Sequence, residues 1–211
     1  MNPKIEPFER YADRYDRWFE ENCLAYLSEL KGLKELIPEG EGIEIGVGTG
    51  RFCKPLGIDI GMDPSLSMLK KAKNRGIKVF SGVAEELPIA SNIFDYVLLT
   101  TTVCFVDDLE KTFKECWRIL KTGGFILLGF IDRESPLGMS YIYKKDKNPF
   151  YSEANFYSTN YLLNRLKKIR FCKPEVKQTL SQKPQELKKV DDVKDGYGKG
   201  SFIILRMKKE G

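Results

Sequence analysis

The sequence predicts one α/β domain, with a mainly parallel sheet covered by helices on both faces. Short apolar runs alternate with amphipathic helical patterns from residue 42 onward, and parallel strands need such crossover helices. Apolar residues make up 42% of the 211 residues, which is enough to build a core of this size. The longest apolar run, residues 123–131, is far below the roughly 20 residues of a membrane-spanning helix, so we expect no membrane partner.

The N-terminal region carries a helical pattern with an aromatic face. Apolar side chains recur at steps of three and four residues between positions 8 and 30, which predicts one amphipathic helix. These residues are Phe8, Tyr11, Tyr15, Trp18, Phe19, Cys23, Leu27 and Leu30. Pro38 and the Glu-Gly-Glu-Gly stretch that follows it end the pattern.

Seven apolar runs then predict strands, and three helices are predicted between them. The strands are expected at residues 43–46, 58–62, 78–81, 94–100, 125–131, 175–180 and 202–207. Ser65 and Ser158 each stand at the N-cap of a helical pattern, and Asp107 and Asp108 stand at the start of a third. The stretch 133–157 is rich in Pro, Gly, Ser and aromatic residues, which predicts a long irregular loop with a function.

Histidine is absent from the sequence, and the cysteines form no paired motif. Histidine general bases, Ser-His-Asp triads and HExxH zinc sites are therefore excluded. The five cysteines are widely spaced without a CxxC, so we predict no metal site and no disulfide framework. The first residues also lack the apolar stretch of a secretory signal, and we expect a reduced, cytoplasmic protein.

The strongest local signal is a glycine-rich turn that directly follows the first predicted strand. It reads Glu44-Ile-Gly46-Val-Gly48-Thr-Gly50, and its glycines allow the backbone to approach a ligand closely. A dinucleotide-binding GxGxxG fingerprint would need a glycine at position 51, where Arg51 stands. The acidic side chain ahead of the glycines favours a cationic ligand over a phosphate.

Four further motifs follow at the carboxyl ends of later strands, where open α/β sheets bind their ligands. They are Gly61-Met-Asp63-Pro64-Ser65, Ala84-Glu85-Glu-Leu-Pro88, Phe94-Asp95 and Leu120-Lys-Thr-Gly-Gly124. The acid that ends the second strand can accept two hydrogen bonds from a ribose diol. In this order and spacing the motifs resemble those of the class I S-adenosylmethionine-dependent methyltransferases, over roughly residues 8–131.

The resemblance implies a Rossmann-like three-layer sandwich whose seven strands have the order 3-2-1-4-5-7-6, with strand 7 antiparallel. It implies one methyltransferase domain over residues 1–211, in which residues 1–38 form a helical lid and residues 132–157 an acceptor-side insertion. S-adenosylmethionine is the implied cofactor. The residues implied to bind it are Tyr15, Glu44, Gly46, Gly48, Gly50, Asp63, Pro64, Met68, Ala84, Glu85 and Thr100.

The acceptor is harder to predict, because position 83 and residues 100–104 depart from well-known patterns of the family. Many relatives have Asp where this chain has Val83, and residues 100–104 read Thr-Thr-Thr-Val-Cys in place of an Asn-Pro-Pro-Tyr tetrad. We expect a small-molecule acceptor walled by the 133–157 stretch. The residues predicted to bind it are Cys104, Met139, Tyr141 and Tyr151, and no catalytic residue is assigned.

Two other functions remain open at this point. The net charge of +5 comes from residues 144–211, where Lys and Arg outnumber Asp and Glu. This basic region could serve an RNA or protein acceptor, although no RNA-binding motif accompanies it and a nucleic-acid partner is not expected. The same fold could also carry a noncatalytic, cofactor-binding regulator. The oligomeric state is open as well.

Overall fold

In the computed structural model of the protein, residues 4–211 are described. Within that range one sheet contains eight strands in the order β3-β2-β1-β4-β5-β8-β6-β7. The strands are β1 Gly42–Ile45, β2 Ile60–Asp63, β3 Lys78–Ser81, β4 Phe94–Thr100, β5 Leu120–Ile131, β6 Phe171–Thr179, β7 Lys194–Asp195 and β8 Phe202–Lys209.

The sheet has the predicted order with one short strand added at its edge. Strands β3, β2, β1, β4 and β5 pair in parallel, and β8 is antiparallel to both of its neighbours, β5 and β6. The additional strand, β7, has two residues and pairs with β6 through Lys177 and Gln178. The predicted layout is therefore confirmed, with β8 as the antiparallel strand.

Helices cover both faces of the sheet and form the two outer layers. They are α1 Glu6–Arg10, α2 Ala12–Glu21, α3 Cys23–Lys34, α4 Leu66–Asn74, α5 Leu109–Ile119, α6 Pro136–Tyr143 and α7 Thr159–Lys168. Helices α5 and α7 bury Phe113 and Leu166 in the core on one face. Helices α3 and α4 bury Leu33 and Leu69 on the other. Each such side chain stabilises the fold by about 1.5–3 kcal/mol when fully buried.

Three of the helix starts lie where the sequence predicts them. The side chains of Ser65, Asp108 and Ser158 stand at the N-caps of α4, α5 and α7, and each accepts a hydrogen bond from a backbone amide of the first turn. Two connections for which the sequence predicts no helix indeed contain no α-helix. Only the 3-10 turn Lys54–Leu56 joins β1 to β2, and β3 joins β4 without a helix.

The prediction of one helix over residues 8–30 is wrong, because the chain bends twice there. Tyr11 and Asn22 have φ angles of −122° and −118°, outside the helical range, and they separate α1, α2 and α3. The backbone amide and the side-chain amide of Asn22 both donate to the carbonyl oxygen of Trp18, at 2.9 and 3.0 Å, and together they close the end of α2. The bends turn the aromatic side chains of this region in several directions.

The stretch 133–157 leaves the sheet after β5 and returns beside its own starting point. The Arg133 amide donates to the Tyr157 carbonyl oxygen at 3.0 Å. The buried Asp132 carboxylate accepts from the amides of Glu134 and Thr159 at 2.7 and 3.1 Å, and from the Thr159 hydroxyl. The stretch is more regular than predicted, since it contains α6. Because these hydrogen bonds hold its two ends together, the stretch forms a closed insertion.

No helix in residues 4–211 is long and apolar enough to cross a membrane. All five cysteines are free.

Candidate functional site

A cavity of about 800 Å³ opens at the carboxyl ends of β1, β2 and β4; we call it the sheet-edge cavity. From β1 the chain continues outward to β2 and β3, and from β4 it continues in the opposite direction to β5. The crevice between β1 and β4, where the strand order reverses, is the usual ligand site of such sheets. Nine of the eleven residues predicted to bind the cofactor line this cavity. They are Tyr15, Gly46, Gly48, Asp63, Pro64, Met68, Ala84, Glu85 and Thr100.

Asp63 lies at the end of β2 with its carboxylate in the cavity wall. One carboxylate oxygen accepts from the Gly48 amide and the other from the Ser65 amide, both at 2.9 Å. Burial raises the pKa of this side chain to about 6, even though both hydrogen bonds act to lower it. Each oxygen keeps a further lone pair, so Asp63 can hold the glycine turn and still accept from a ligand.

The glycine turn approaches Tyr15 and Thr102 closely. Gly46 has a φ of +75°, and a Cβ there would collide with the side chain of Thr102. The Thr102 hydroxyl donates to the Ile45 carbonyl oxygen at 3.1 Å, which ties the loop after β4 to the end of β1. A Cβ on Gly48 would lie 3.7 Å from the ring of Tyr15. The tyrosine thus lies over the turn as part of the cavity wall.

Gly50 does not line the cavity, contrary to the prediction. A Cβ at this position would collide with Ile77 and press on Ala72 of α4, so the glycine allows the turn to pack against that helix. Its φ of +80° also requires glycine. The glycines of the motif therefore serve two purposes: Gly46 and Gly48 line the cavity, and Gly50 allows close packing on α4. The spacing of the glycines in the sequence does not show which glycine has which purpose.

Glu44 also lies outside the cavity wall. Its neighbours Ile43 and Ile45 point into the core beneath α5, so strand alternation directs Glu44 to the opposite face. The carboxyl group lies beside Thr100 and Cys53, and burial raises its pKa to about 8. Its Oε2 atom and the Thr100 hydroxyl have no hydrogen-bond partner within residues 4–211. Glu44 is therefore not among the residues that line the sheet-edge cavity.

Glu85 has a structural partner in addition to its place in the wall. One carboxylate oxygen accepts from the amides of Asp107 and Asp108 at 2.7 and 3.3 Å. These bonds fix the start of α5 against the turn that follows β3. Asp107 itself lines the cavity and pairs with Lys4 at 3.3 Å.

A second and larger cavity, of about 1450 Å³, lies between the N-terminal helices and the 133–157 insertion; we call it the aromatic cavity. Three of the four residues predicted to bind the acceptor line it, namely Cys104, Tyr141 and Tyr151. The rings of Tyr141 and Tyr151 stack with centroids 4.8 Å apart. Met139 is 55% exposed and does not line the cavity, because two residues along a helix turn its side chain away from Tyr141.

The two cavities share a wall. Phe8, Tyr15, Thr101 and Phe105 line both of them. Phe150 of the insertion packs against the rings of Phe8 and Tyr15, with centroids 5.5 and 5.8 Å away. Residues from the N-terminal helices, the loop after β4 and the insertion therefore meet at one place.

The aromatic cavity offers no reactive thiol and no metal site. Burial raises the pKa of Cys104 to about 12, so this thiol stays protonated at neutral pH. Its Sγ donates to the Thr101 carbonyl oxygen at 3.3 Å. Among the residues that the structure describes, no cluster of three or more Cys, Asp or Glu side chains could hold a metal ion. The site can position a reaction but does not supply a covalent nucleophile.

Buried carboxyl groups should make the stability of the ligand-free protein depend on pH. The folded-state pKa values of Asp63, Glu44 and Glu29 are about 6, 8 and 8, above their ordinary values. The folded state thus binds more protons than the unfolded chain between about pH 5 and pH 8, and the free energy of unfolding falls across that range. No histidine titrates there to mask the effect.

We expect a lower thermal midpoint at about pH 8 than at about pH 5, with a shallower slope in Glu44→Gln. Glu39→Gln, which alters an exposed carboxylate, should retain the wild-type slope. A midpoint that stays constant or rises with pH would show that these carboxyl groups are not buried as described.

This sheet order, with a glycine turn after β1 and an acid at the end of β2, defines the class I methyltransferase fold. A family model described as a methyltransferase domain matches residues 43–128. The chain is 48% identical to a solved S-adenosylmethionine-dependent methyltransferase from Thermotoga maritima, described as a "possible histamine N-methyltransferase". That match covers 98% of this chain and 100% of the other, with a TM-score of 0.96.

Two sequence relatives match nearly the whole chain. The uncharacterized protein MJ1123 of Methanocaldococcus jannaschii is 45% identical over 96% of this chain and 98% of its own length. A demethylmenaquinone methyltransferase of Anoxybacillus flavithermus is 24% identical over 95% of this chain and 87% of its own length. The chain belongs to the S-adenosylmethionine-dependent methyltransferases, is an enzyme of that class, and uses S-adenosylmethionine as its cofactor.

Proposed function

We propose that the enzyme transfers the methyl group to a small-molecule acceptor held in the aromatic cavity, with the cofactor in the sheet-edge cavity. The observation that carries this proposal is the shared wall of Phe8, Tyr15, Thr101 and Phe105. These residues mark the boundary at which the two cavities adjoin. The methyl donor and the acceptor atom would have to meet there, in contact between these side chains, as an in-line displacement needs. The larger cavity is partly open at its rim and mostly apolar, which suits a small molecule.

The residues of the sheet-edge cavity fit the cofactor. We propose that Asp63 accepts from the ribose hydroxyls, that Met68 and Ala84 pack on the adenine, and that Gly46 and Gly48 give room for the methionine part. Thr100 lines the cavity at the end of β4, and its buried hydroxyl lies beside the Glu44 carboxyl group. The bound cofactor supplies an activated methyl group on a sulfonium, so the protein needs only to position the acceptor and exclude water.

The rings that close the site also suit its chemistry. Tyr15 lies over the glycine turn, and its aromatic face can stabilise a sulfonium cation. We propose that residues 1–38 act as a lid and that the insertion over residues 132–157 completes the acceptor pocket. Residues 1–3 lie outside the described part of the chain. The packing of Phe150 on Phe8 and Tyr15 supports a lid made jointly by both segments.

The printed names of the relatives include two kinds of small acceptor. The Anoxybacillus relative is a demethylmenaquinone methyltransferase, and the Thermotoga relative is described as a "possible histamine N-methyltransferase". These names favour a small molecule over RNA or protein. Several basic residues of the C-terminal third are also already paired within the chain: Lys177 with Glu35, and Arg206 with Glu175.

A transfer assay tests the proposal directly. The purified protein is incubated with S-adenosylmethionine carrying a labelled methyl group and with a metabolite extract, and labelled products are separated by size. We expect label in a small molecule. Label only in RNA or protein, with binding that weakens strongly as salt rises, would overturn the choice of acceptor. Cofactor binding without any labelled product would indicate a noncatalytic regulator.

A pair of variants tests the assignment of the acceptor cavity. Tyr151→Ala removes a ring that stacks on Tyr141 in the cavity wall, so we expect turnover to fall by roughly tenfold or more. Cofactor affinity should stay near the wild-type value, because Tyr151 does not line the sheet-edge cavity. Met139→Ala, on the exposed side of α6, should change neither. Equal turnover in both variants would place the acceptor elsewhere.

A further inference from the structure

Glu29 is a carboxyl group buried in the wall of the aromatic cavity without a partner. It lies in α3 and is 4% exposed. Among residues 4–211 its carboxylate has no hydrogen-bond or ion-pair partner. Its oxygens are not among the unpartnered atoms that are fully excluded from solvent, so they have access to the cavity that Glu29 lines. An isolated buried carboxylate is costly and is normally paired or protonated. A position of this kind on a cavity wall therefore points to a ligand that completes it.

The other ionisable groups around the cavity do not compensate Glu29. Arg14 and Glu21 line the cavity, but both are exposed residues at its rim, and the Arg14 guanidinium lies 5.9 Å from the ring of Phe150. Burial raises the pKa of the Tyr15, Tyr141, Tyr151 and Cys104 side chains, so all four are neutral near pH 7. Glu29 is thus the buried carboxyl group of this cavity wall, and it can become negatively charged when a cation binds beside it.

The rings around Glu29 suit a cation. The aromatic side chains that line the cavity include Tyr15, Trp18, Tyr141, Tyr151 and Phe156. Aromatic faces attract an ammonium group, and the attraction is stronger where water is excluded. A buried carboxyl group and several aromatic rings that line one cavity form a site for an organic ammonium ion. A neutral acceptor would leave the carboxyl group without its partner.

We propose that the acceptor is an organic amine and that Glu29 binds its ammonium group. This inference rests on the proposed function and names the chemical class of the acceptor. Glu29 is not among the residues shared with the sheet-edge cavity, so it anchors the acceptor at a distance from the methyl group. The acceptor atom that receives the methyl group then lies at the other end of the molecule, beside Tyr15 and Phe105.

The binding of an amine should also release a proton. The pKa of Glu29 is raised to about 8 by burial, so the group is mostly protonated at pH 7 in the protein alone. An ammonium ion beside it favours the ionised form, and the proton passes to the buffer. Calorimetry in buffers of different ionisation enthalpy measures this release, which does not depend on turnover.

The test uses the full chain saturated with S-adenosylhomocysteine. Benzylamine, phenethylamine and tryptamine are titrated beside the corresponding alcohols, which have similar shape but no charge. We expect at least one amine to bind more tightly than its alcohol and to release protons. In Glu29→Gln the affinity for that amine should fall roughly 10- to 100-fold and the proton release should disappear. Glu39→Gln is the matched control at an exposed position.

Stability measurements separate binding from unfolding. Glu29→Gln removes an unpaired buried carboxyl group, so its thermal midpoint at about pH 8 should equal or exceed that of the wild type. The inference is overturned if no amine binds better than its alcohol, or if Glu29→Gln retains the preference. Methyl transfer to a neutral acceptor would then leave the proposed function standing. Failure of the proposed function would instead appear as no small-molecule product at all.

Discussion

Replacement of Asp63 by Ala should weaken the binding of S-adenosylhomocysteine by about 10- to 150-fold, which corresponds to roughly 1.5–3 kcal/mol. The proposed cause is the loss of charge-assisted hydrogen bonds from the ribose diol to a carboxylate that is 8% exposed in the wall of the cavity. The Gly48 and Ser65 amides would also lose their acceptor, so the glycine turn would be held less firmly.

Calorimetry on three proteins checks this result. Asp59→Ala is the matched control, since Asp59 directly precedes β2 and is exposed. We expect it to bind S-adenosylhomocysteine like the wild type, and NAD should bind to none of the three proteins. Unchanged affinity in Asp63→Ala would show that the ribose is held by other groups. Binding of NAD as tight as that of S-adenosylhomocysteine would contradict the fit of the cavity to this cofactor.

The sheet and most of the sheet-edge cavity could be predicted because they depend on local patterns in a fixed order. Strands β3 and β4 lie at the predicted residues, and Ser65 and Ser158 cap the predicted helices. Once the sheet order is known, the carboxyl ends of parallel strands bring Asp63 and Thr100 to the same edge. Nothing beyond spacing and topology is needed for that step.

Sequence spacing does not give side-chain direction where that direction depends on tertiary packing. Alternation along β1 turns Glu44 to the face opposite Ile43 and Ile45, and Gly50 packs against α4. The N-terminal helical pattern gave no sign of the bends at Tyr11 and Asn22, because single residues with φ near −120° leave the apolar periodicity nearly intact. Glu29 was missed for a related reason: one acid in a helix reads as an exposed residue.

Phe105 and Phe150 were also missed as site residues, although a signal for Phe105 exists. It lies in the loop directly after β4, whose carboxyl end forms the cavity edge. Phe150 lies in the insertion that was expected to wall the acceptor, but its contact with Phe8 and Tyr15 joins segments about 140 residues apart in sequence, which local patterns cannot predict.

Replacement of Asp16 by Ala should release α2 from the glycine turn and weaken both folding and cofactor binding. The Asp16 carboxylate accepts from the Thr49 hydroxyl at 2.8 Å and from the guanidinium groups of Arg51 and Arg75 at 2.8–3.0 Å. It thereby joins α2, the turn after β1 and the end of α4. Tyr15, the neighbouring residue, is held over Gly48 by the same arrangement.

The charge state of Asp16 shows how strong this network is. Burial alone would raise its pKa, but the hydrogen bonds from Arg51, Arg75 and Thr49 outweigh burial and lower the pKa to about 2. Because the folded-state pKa lies below the ordinary value, the ionised group stabilises the fold above about pH 4. That stabilisation is lost as the pH falls towards about 2.

We expect Asp16→Ala to lower the free energy of unfolding by about 2–3 kcal/mol, because two partly buried guanidinium groups lose their shared partner. Affinity for S-adenosylhomocysteine should fall roughly tenfold, since about 1.4 kcal/mol of binding free energy is then needed to order α2. Asp13→Ala is the control: Asp13 lies on the same helix, its side chain is 84% exposed, and its ion pair with Lys71 contributes little.

Hydrogen exchange distinguishes release of the lid from general destabilisation. In wild-type protein residues 4–21 should gain protection when S-adenosylhomocysteine binds, and in Asp16→Ala they should exchange faster than the rest of the chain. Amides of β4 and β5, which are central in the sheet, should keep their rank as the slowest in both proteins. If Asp16→Ala instead binds and exchanges like Asp13→Ala, α2 is held by the packing of Phe8, Tyr15 and Phe150 alone. The ion network would then play no part in closing the site.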